Sequence, residues 1–446
     1  MNFSTLILPV VLIICVALLL HFLLRKNLSL SDPLVVFLLA MTGTFVLHQF
    51  SGLYTIPYVT PFGWFLYLVF SIVSILFVYL GSHFGKKRNL SGRVLATSNG
   101  KILRVLVYGL IAISIIAIAT LLARNLGTLL SAGFNVIRME TIDTYSSGGI
   151  DGYIVRFAYF MFLAVPLITF NPHIFTKKER IILLSVILIL GFGRTILTAG
   201  RWPLFITILV LMGSSITNYN IRKIRIVWVS LAIILAAVVM VVLGQLRSRS
   251  VAESYAFEAF GYHPWMKPLI DYSPATASAY FQSVSYFTQG IVHLSMYLDD
   301  ADPNRRGYLT TRFIQLQMGT MSHYLYLREL EKLNMPIFYD NPKNYSVVWA
   351  TGYRLFVHDY GYIGGALVTA LLSFLTGYCY HNNKYRRDVT NLMALAILYP
   401  TFVMMPIAAT LLHPNFLFLM NCYLLIYLPF KLLSMTSLRL APIRKV

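Results

Sequence analysis

Long apolar runs alternate with short polar connections along most of this chain. A helix that crosses about 30 Å of hydrocarbon needs roughly 20 apolar residues, and each run is close to that length. The pattern therefore predicts an all-α, polytopic integral membrane protein with about 11 transmembrane helices. The predicted spans are 3–24, 33–50, 61–82, 103–122, 153–170, 181–198, 203–219, 226–244, 360–380, 391–412 and 415–434.

One long segment, 246–347, interrupts this alternation. Apolar residues recur at helical spacing in two parts of it, 275–297 and 310–333, which predicts two amphipathic helices. In the first part these residues are Tyr280, Val284, Phe287, Ile291 and Leu294. We therefore expect three units: transmembrane helices at 1–245, an extracytoplasmic loop domain at 246–347, and further transmembrane helices with a cytoplasmic tail at 348–446.

Composition and charge support the membrane interpretation. Hydrophobic residues make up 58% of the chain and charged residues only 12%, whereas charged residues approach about a quarter of soluble domains. The net charge of +20 would suggest nucleic acid in a soluble protein, but here the basic residues recur on alternate connections, as the positive-inside rule predicts. We expect no nucleic-acid partner, an external N-terminus and a cytoplasmic C-terminus. The basic connections include Arg25-Lys26, Lys86-Lys87-Arg88, Lys101 with Arg104, Lys177-Lys178, Arg222-Lys223, Arg386-Arg387 and Arg444-Lys445.

Two further features narrow the picture. The first run has no basic region before it and no small-residue cleavage site after it, so we interpret it as a retained helix rather than a signal peptide. The three cysteines, Cys15, Cys379 and Cys422, all fall inside apolar runs without the spacing of a zinc site. We predict neither a disulfide framework nor a metal site, and no cofactor is implied.

The predicted outer face carries mainly Arg rather than Lys. Arg grips phosphate with two parallel hydrogen bonds, although it also serves as an interfacial anchor. On a helix, residues two apart point about 200° away from each other. We therefore expect only one of Arg247 and Arg249, which follow span 226–244, to reach one small ligand. Arg138, in the 123–152 loop, could instead form an ion pair with Glu140 or Asp143. The candidate anion-binding residues are Arg194, Arg201, Arg138, Arg247 and Arg249.

A carboxylate and an imidazole stand together at the predicted outer end of span 360–380. Asp359 and His358 precede a glycine-rich stretch, where Asp359 could either cap a closely packed helix or accept a proton from a sugar hydroxyl. His293 and His263, in the long segment, compete for the role of base. The sequence leaves these alternatives open.

Several of these stretches together resemble the oligosaccharide repeat-unit polymerases, also called O-antigen polymerases, of bacterial surface-polysaccharide assembly. The resemblance covers the whole chain in layout but only short stretches in residues. Those stretches are Thr198-Ala199-Gly200-Arg201, Tyr286-Phe287-Thr288-Gln289-Gly290-Ile291-Val292-His293-Leu294, and Tyr345 to Trp349 leading into Asp359-Tyr360-Gly361-Tyr362-Ile363-Gly364.

The resemblance implies an inverting, metal-independent glycosyltransferase of the GT-C type in the bacterial inner membrane. Its donor would be an undecaprenyl-diphosphate-linked glycan, and its further partners would be membrane lipid, a chain-length regulator and a flippase. An O-antigen ligase has a similar layout, but we find no decisive histidine-containing ligase motif. A polysaccharide flippase or other transporter is the alternative from another class, and it would predict internal repeats, which we do not detect.

Overall fold

The computed structural model describes residues 32–50, 60–87, 100–131, 156–171, 173–198, 202–215, 263–273, 276–277, 280, 284, 287–288, 290–291, 294, 351–385, 389–408, 416 and 418–425. Nearly all of these residues are helical, and none of them lies in a β-strand. The predicted all-α class is therefore confirmed for the described part of the chain. The predicted spans 3–24 and 226–244 and the predicted loop helix 310–333 lie outside it, so the number of spans stays a prediction.

The helices with defined bounds follow the predicted order of apolar runs. They are α1 (Pro33–Phe50), α2 (Pro61–Lys87), α3 (Gly100–Ser131), α4 (Met161–Phe170), α5 (Lys177–Leu197), α6 (Trp202–Ser215), α7 (Lys267–Tyr272), α8 (Gly352–Tyr385) and α9 (Val389–Met404). Short 3₁₀ turns, Ala158–Phe160 and Pro264–Met266, precede α4 and α7.

Local capping explains where three of these helices begin. Asp32 precedes Pro33, and its carboxylate accepts a hydrogen bond from the backbone N–H of Leu34 at 3.0 Å. Thr60 caps α2 by accepting from Gly63, ahead of Pro61. Before α5, Thr176 and Glu179 form a reciprocal capping box. A polar cap followed by proline satisfies the free N–H groups of the first turn and pre-sets the helical φ angle.

Within the described ranges, four helices are long and apolar enough to cross a membrane: Pro61–Lys86, Gly100–Thr128, Lys177–Leu197 and Gly352–Asn383. Their outward faces are apolar, with Val105 on α3, Ile189 on α5 and Ile363 on α8 among the most exposed side chains. A soluble protein rarely exposes such continuous apolar faces, whereas a bilayer solvates them. The described part therefore has the character of a membrane-embedded protein.

The helices α2 and α8 pack with their backbones in close contact. A side chain at Gly81 would collide with the carbonyl of Phe374, and one at Gly377 would collide with the carbonyl of Val78. A Cβ at Gly85 would lie 2.8 Å from the carbonyl oxygen of Tyr378. Small residues spaced along a helix allow this approach in membranes, where van der Waals contact drives helix association.

Contacts at the helix ends agree with the predicted alternation of connections. Arg104, at the start of α3, donates to the carbonyl of Ile174 at 2.6 Å and lies 3.5 Å from Glu179, so two predicted inner connections meet. At the opposite end, Asn125 of α3 donates to the carbonyl of Leu197 at 2.9 Å. We call the end with Arg104 and Glu179 the Lys87 end, because α2 finishes there. The opposite end, with Asn125 and Leu197, is called the Gly361 end.

The Lys87 end contains a buried contact between a histidine and an aspartate that the sequence did not indicate. The Nε2 atom of His381, near the end of α8, lies 3.3 Å from the Oδ2 atom of Asp32, and both side chains are buried. The other oxygen of Asp32 is the one that caps α1. This contact joins the beginning of α1 to the end of α8.

Helix α8 reverses direction at Gly361, which adopts φ 71° and ψ −178°. A Cβ at Gly365 would lie 3.0 Å from the carbonyl carbon of Phe356 and the nitrogen of Val357. Residues nine apart are well separated along a straight helix at 1.5 Å per residue, so this contact requires the chain to fold back. Residues 352–360 therefore form a half-helix that packs against residues 362–385. The predicted span 360–380 lies in the long arm, and the half-helix lies in a stretch that we expected to connect the loop domain to that span.

The half-helix begins where α9 ends, inside the bundle. Its first residue, Gly352, donates to the carbonyl of Met405 at 2.9 Å. Helix α9 stops at Met404 and is followed by a turn at 405–407, so the predicted span 391–412 is not one continuous helix. Pro406 explains the stop, because proline has no N–H and disfavours helical geometry in the residue before it.

Candidate functional site

In the part of the chain that the structure describes, three arginine side chains are almost completely buried. Arg156 is 1% exposed, and Arg194 and Arg354 are 0% exposed. A guanidinium group stays charged in proteins, and burying that charge among apolar helices is costly unless the site provides compensating groups. A protein that keeps three such groups inside a membrane bundle has a use for buried positive charge.

Arg194 points into the protein rather than towards a membrane surface. Its guanidinium carbon lies 4.0 Å from the centroid of the Tyr159 ring, in a cation–π contact between α5 and the turn before α4. The side chain would be exposed at its tip if it served as a snorkelling anchor. Its complete burial places Arg194 in the protein interior and argues against a snorkelling anchor, and its role in anion binding stays a prediction.

The half-helix carries a second arginine together with the predicted histidine and aspartate. Thr351 caps it, because its hydroxyl accepts from the backbone N–H of Arg354 at 3.0 Å. His358 follows Arg354 by four residues, so both side chains lie on the same helical face. Asp359 is next to His358, and both are buried. The reversal at Gly361 follows two residues later, so these groups stand beside the fold of the hairpin.

A series of contacts connects the Arg194 region to the half-helix. Helix α6 begins at residue 202, shortly after α5, and its Phe205 lies 6.4 Å from the Phe287 ring, centroid to centroid. Three residues along from Phe287, a Cβ at Gly290 would lie 2.9 Å from Cγ2 of Thr351. Helix α6, which follows the helix of Arg194, is therefore linked through this part of the long segment to the residue that caps the half-helix of Arg354.

The first predicted amphipathic helix contributes to this region. Its described residues are helical, and Val284, Ile291 and Leu294 are buried while Tyr280 and Phe287 are partly buried. The resemblance to the repeat-unit polymerases rested partly on residues 286–294, and Gly290 of that stretch meets the start of the half-helix. The described residues at the end of this predicted helix, from Phe287 to Leu294, therefore pack into the bundle.

The other predicted site residues divide into two groups. His263 is exposed, with its ring 6.5 Å from that of Trp265 in the turn before α7, so it belongs to a surface. The remaining candidates lie outside the described residues, and their roles stay predictions. They are Arg201, Arg138, Arg247, Arg249 and His293.

The sequence prediction missed Arg156 and Arg354, although a signal was present. Each is a single charge in an apolar stretch: Tyr153-Ile154-Val155-Arg156-Phe157 and Tyr353-Arg354-Leu355-Phe356-Val357. This criterion had selected Arg194. Arg156 stands near the edge of the predicted span 153–170, and Arg354 lies in a predicted connection, so neither is a charge in the middle of a predicted span.

These groups define the chemistry that the region offers. Buried guanidinium groups bind anions strongly where water is excluded, and an adjacent imidazole and carboxylate can accept a proton. Among the residues that the structure describes, no group of three or more His, Cys, Asp or Glu side chains could hold a metal ion.

No protein-family model, curated protein or solved structure matches this chain. The class that its own fold and site define is a multi-span helical membrane protein with buried positive charge beside a helical hairpin.

Proposed function

We propose that this protein is a membrane-embedded glycosyltransferase that polymerises polyprenyl-diphosphate-linked oligosaccharide repeat units into a bacterial surface polysaccharide. The observation that carries the proposal is the burial of Arg156, Arg194 and Arg354 in a bundle that also presents His358 and Asp359 at the hairpin. The resemblance of the sequence to the repeat-unit polymerases supplies the substrate class. The reaction takes place at the outer face of the inner membrane.

The buried arginines have a clear role in such a reaction. A hydroxyl of the acceptor unit attacks the anomeric carbon of the donor, and the bond from that carbon to the lipid diphosphate breaks. Negative charge develops on the departing diphosphate, and preorganised cations in a dry site stabilise it. Arg194 and Arg354 are the described residues that we assign to this role, with the buried Arg156 as the third.

The hairpin supplies the proton acceptor. The attacking hydroxyl must lose its proton, and Asp359 or His358 takes it. Either group stands beside the reversal at Gly361, where the backbone is not helical and the chain passes from one arm of α8 to the other. Non-helical backbone at membrane depth is tolerated where it is enclosed by protein or lines a polar cavity, which agrees with a site at this position.

Transport of the lipid-linked unit is a second candidate, and one observation favours it. A half-helix that meets the end of a broken helix is a common arrangement at the substrate sites of secondary transporters. The half-helix at 352–360 and the stop of α9 at Met404 have that arrangement. The two functions differ in the compound that accumulates when the protein is lost.

Gene disruption followed by electrophoresis of the surface glycan separates the candidates. Loss of a polymerase leaves single repeat units on the cell surface, whereas loss of a flippase leaves lipid-linked units inside the cell. Loss of a ligase leaves no glycan attached to the surface lipid. Complementation with Arg354→Ala should fail, whereas Arg124→Ala, which changes an exposed arginine of α3, should restore the polymer. Internal accumulation in the disrupted strain would contradict the polymerase assignment.

A further inference from the structure

Tyr353, in the first turn of the half-helix, connects it to the middle of α2. Its hydroxyl lies 3.3 Å from the Oγ atom of Ser71 and 3.5 Å from that of Ser74. Its ring packs edge-on against Tyr67, with centroids 5.7 Å apart, and lies 5.4 Å from Phe70. The side chain is completely buried.

The hydrogen-bond capacity of these hydroxyls explains why they stay together. With the Ser74 hydroxyl donating to the carbonyl of Phe70 at 2.9 Å, its oxygen is left to accept from Tyr353. A buried hydroxyl that loses its partner in an apolar interior costs free energy, and water cannot easily replace that partner. Sliding the half-helix along α2 would separate Tyr353 from both serines.

The depth of Tyr353 also determines where the polar groups of the half-helix lie. Arg354 is its neighbour in the chain, and His358 lies on the same face as Arg354, one turn further on. A rigid half-helix moves as one body, so sliding it by one residue along α2 would shift all of its side chains by about 1.5 Å. Chemistry that depends on aligned groups is sensitive to displacements of about 1 Å.

We propose that Tyr353, through Ser71 and Ser74, is a positioning residue that sets the depth of the half-helix relative to α2. The catalytic consequence rests on the proposed glycosyltransferase function, because it concerns the placement of Arg354 against the lipid diphosphate and of the proton acceptor, Asp359 or His358, against the acceptor hydroxyl. The structural part does not depend on that function. Tyr353 itself contacts no reacting atom in this proposal.

The first test is amide hydrogen exchange in the purified full-length protein. Tyr353→Phe keeps the ring and removes only the hydroxyl, so the rest of the packing is retained. We expect exchange in residues 352–360 to become about tenfold faster and exchange in 362–385 to be unchanged. Ser71→Ala with Ser74→Ala should have the same effect, and combining them with Tyr353→Phe should add little, because the three hydroxyls act as one unit. Tyr79→Phe, at an exposed tyrosine of α2, is the matched control.

The second test is turnover, with lipid-linked repeat units extracted from the disrupted strain as the probe. Tyr353→Phe should lower kcat about tenfold while KM stays within about twofold, because the lipid and sugar contacts remain and only the alignment is lost. A change in KM alone, or exchange in 352–360 that equals that of the wild type, would overturn the positioning role. If the wild-type protein shows no turnover, the proposed function fails, and the exchange comparison decides the structural part by itself.

Discussion

The reversal at Gly361 allows a sharp test, because one substitution should have opposite effects at two glycines. Gly361 adopts φ 71° and ψ −178°, a conformation that is almost restricted to glycine. Placing a Cβ there costs about 1–3 kcal/mol, so Gly361→Ala should lower the stability of the hairpin by that amount. A further consequence is that the half-helix should open more often, by a factor of about 5 to 150.

The matched control is Gly109→Ala in α3. A Cβ at Gly109 would have no heavy atom within 4 Å, and the residue lies inside a regular helix. Alanine is better than glycine at such a position by about 1 kcal/mol, so this variant should be slightly more stable than the wild type. The two variants should therefore differ by about 2–4 kcal/mol, although the chemical change is the same.

The assay is thermal unfolding in detergent, followed by amide exchange across 352–360. We expect the melting temperature to fall in the order Gly109→Ala, wild type, Gly361→Ala, and the fast exchange in Gly361→Ala to be concentrated in the half-helix. Equal melting temperatures for the two variants would show that residue 361 does not need a positive φ angle. The fold-back of α8 would then be wrong.

Three further predictions concern the site and its support. Tyr159→Leu should lower the free energy of unfolding by about 1–2 kcal/mol, because it removes the ring beneath Arg194. Tyr159→Phe keeps a ring there and should retain most of the wild-type stability, and denaturant unfolding in detergent distinguishes the two variants. Asp359→Asn should abolish polymerisation and leave the protein folded, while His358→Ala should reduce polymerisation only slightly. Glycan electrophoresis at matched expression checks this, and an active Asp359→Asn variant would assign the base to another residue. Gly377→Leu should prevent the contact of α2 with α8 and reduce folded protein in size-exclusion chromatography, and a normal elution profile would contradict the close packing.

The sequence alone determined the features that depend on local chemistry and on burial in a bilayer. The predicted span 33–50 coincides with α1, and α2 begins at the predicted residue 61, because an apolar run after a polar cap and a proline specifies both the helix and its start. Arg194 was identified because a charge inside an apolar run is costly wherever the run folds. The contact of Arg104 with Glu179 agrees with the predicted alternation of basic connections, which assigns both residues to connections on the same side of the membrane.

Only the tertiary structure decided that the residues before Gly361 form a separate half-helix and that those after it form the membrane span. Residues 352–357 and 362–380 are both apolar, and no local pattern distinguishes a connection that enters a span from a half-helix that folds back along it. The reversal depends on the positive φ angle of Gly361 and on the absence of a side chain at Gly365, where the two arms meet. The burial of Arg354 follows from that reversal, since the half-helix is enclosed by α2 and the turn after α9. These contacts join residues far apart in the chain, so apolar length and charge spacing could not specify them.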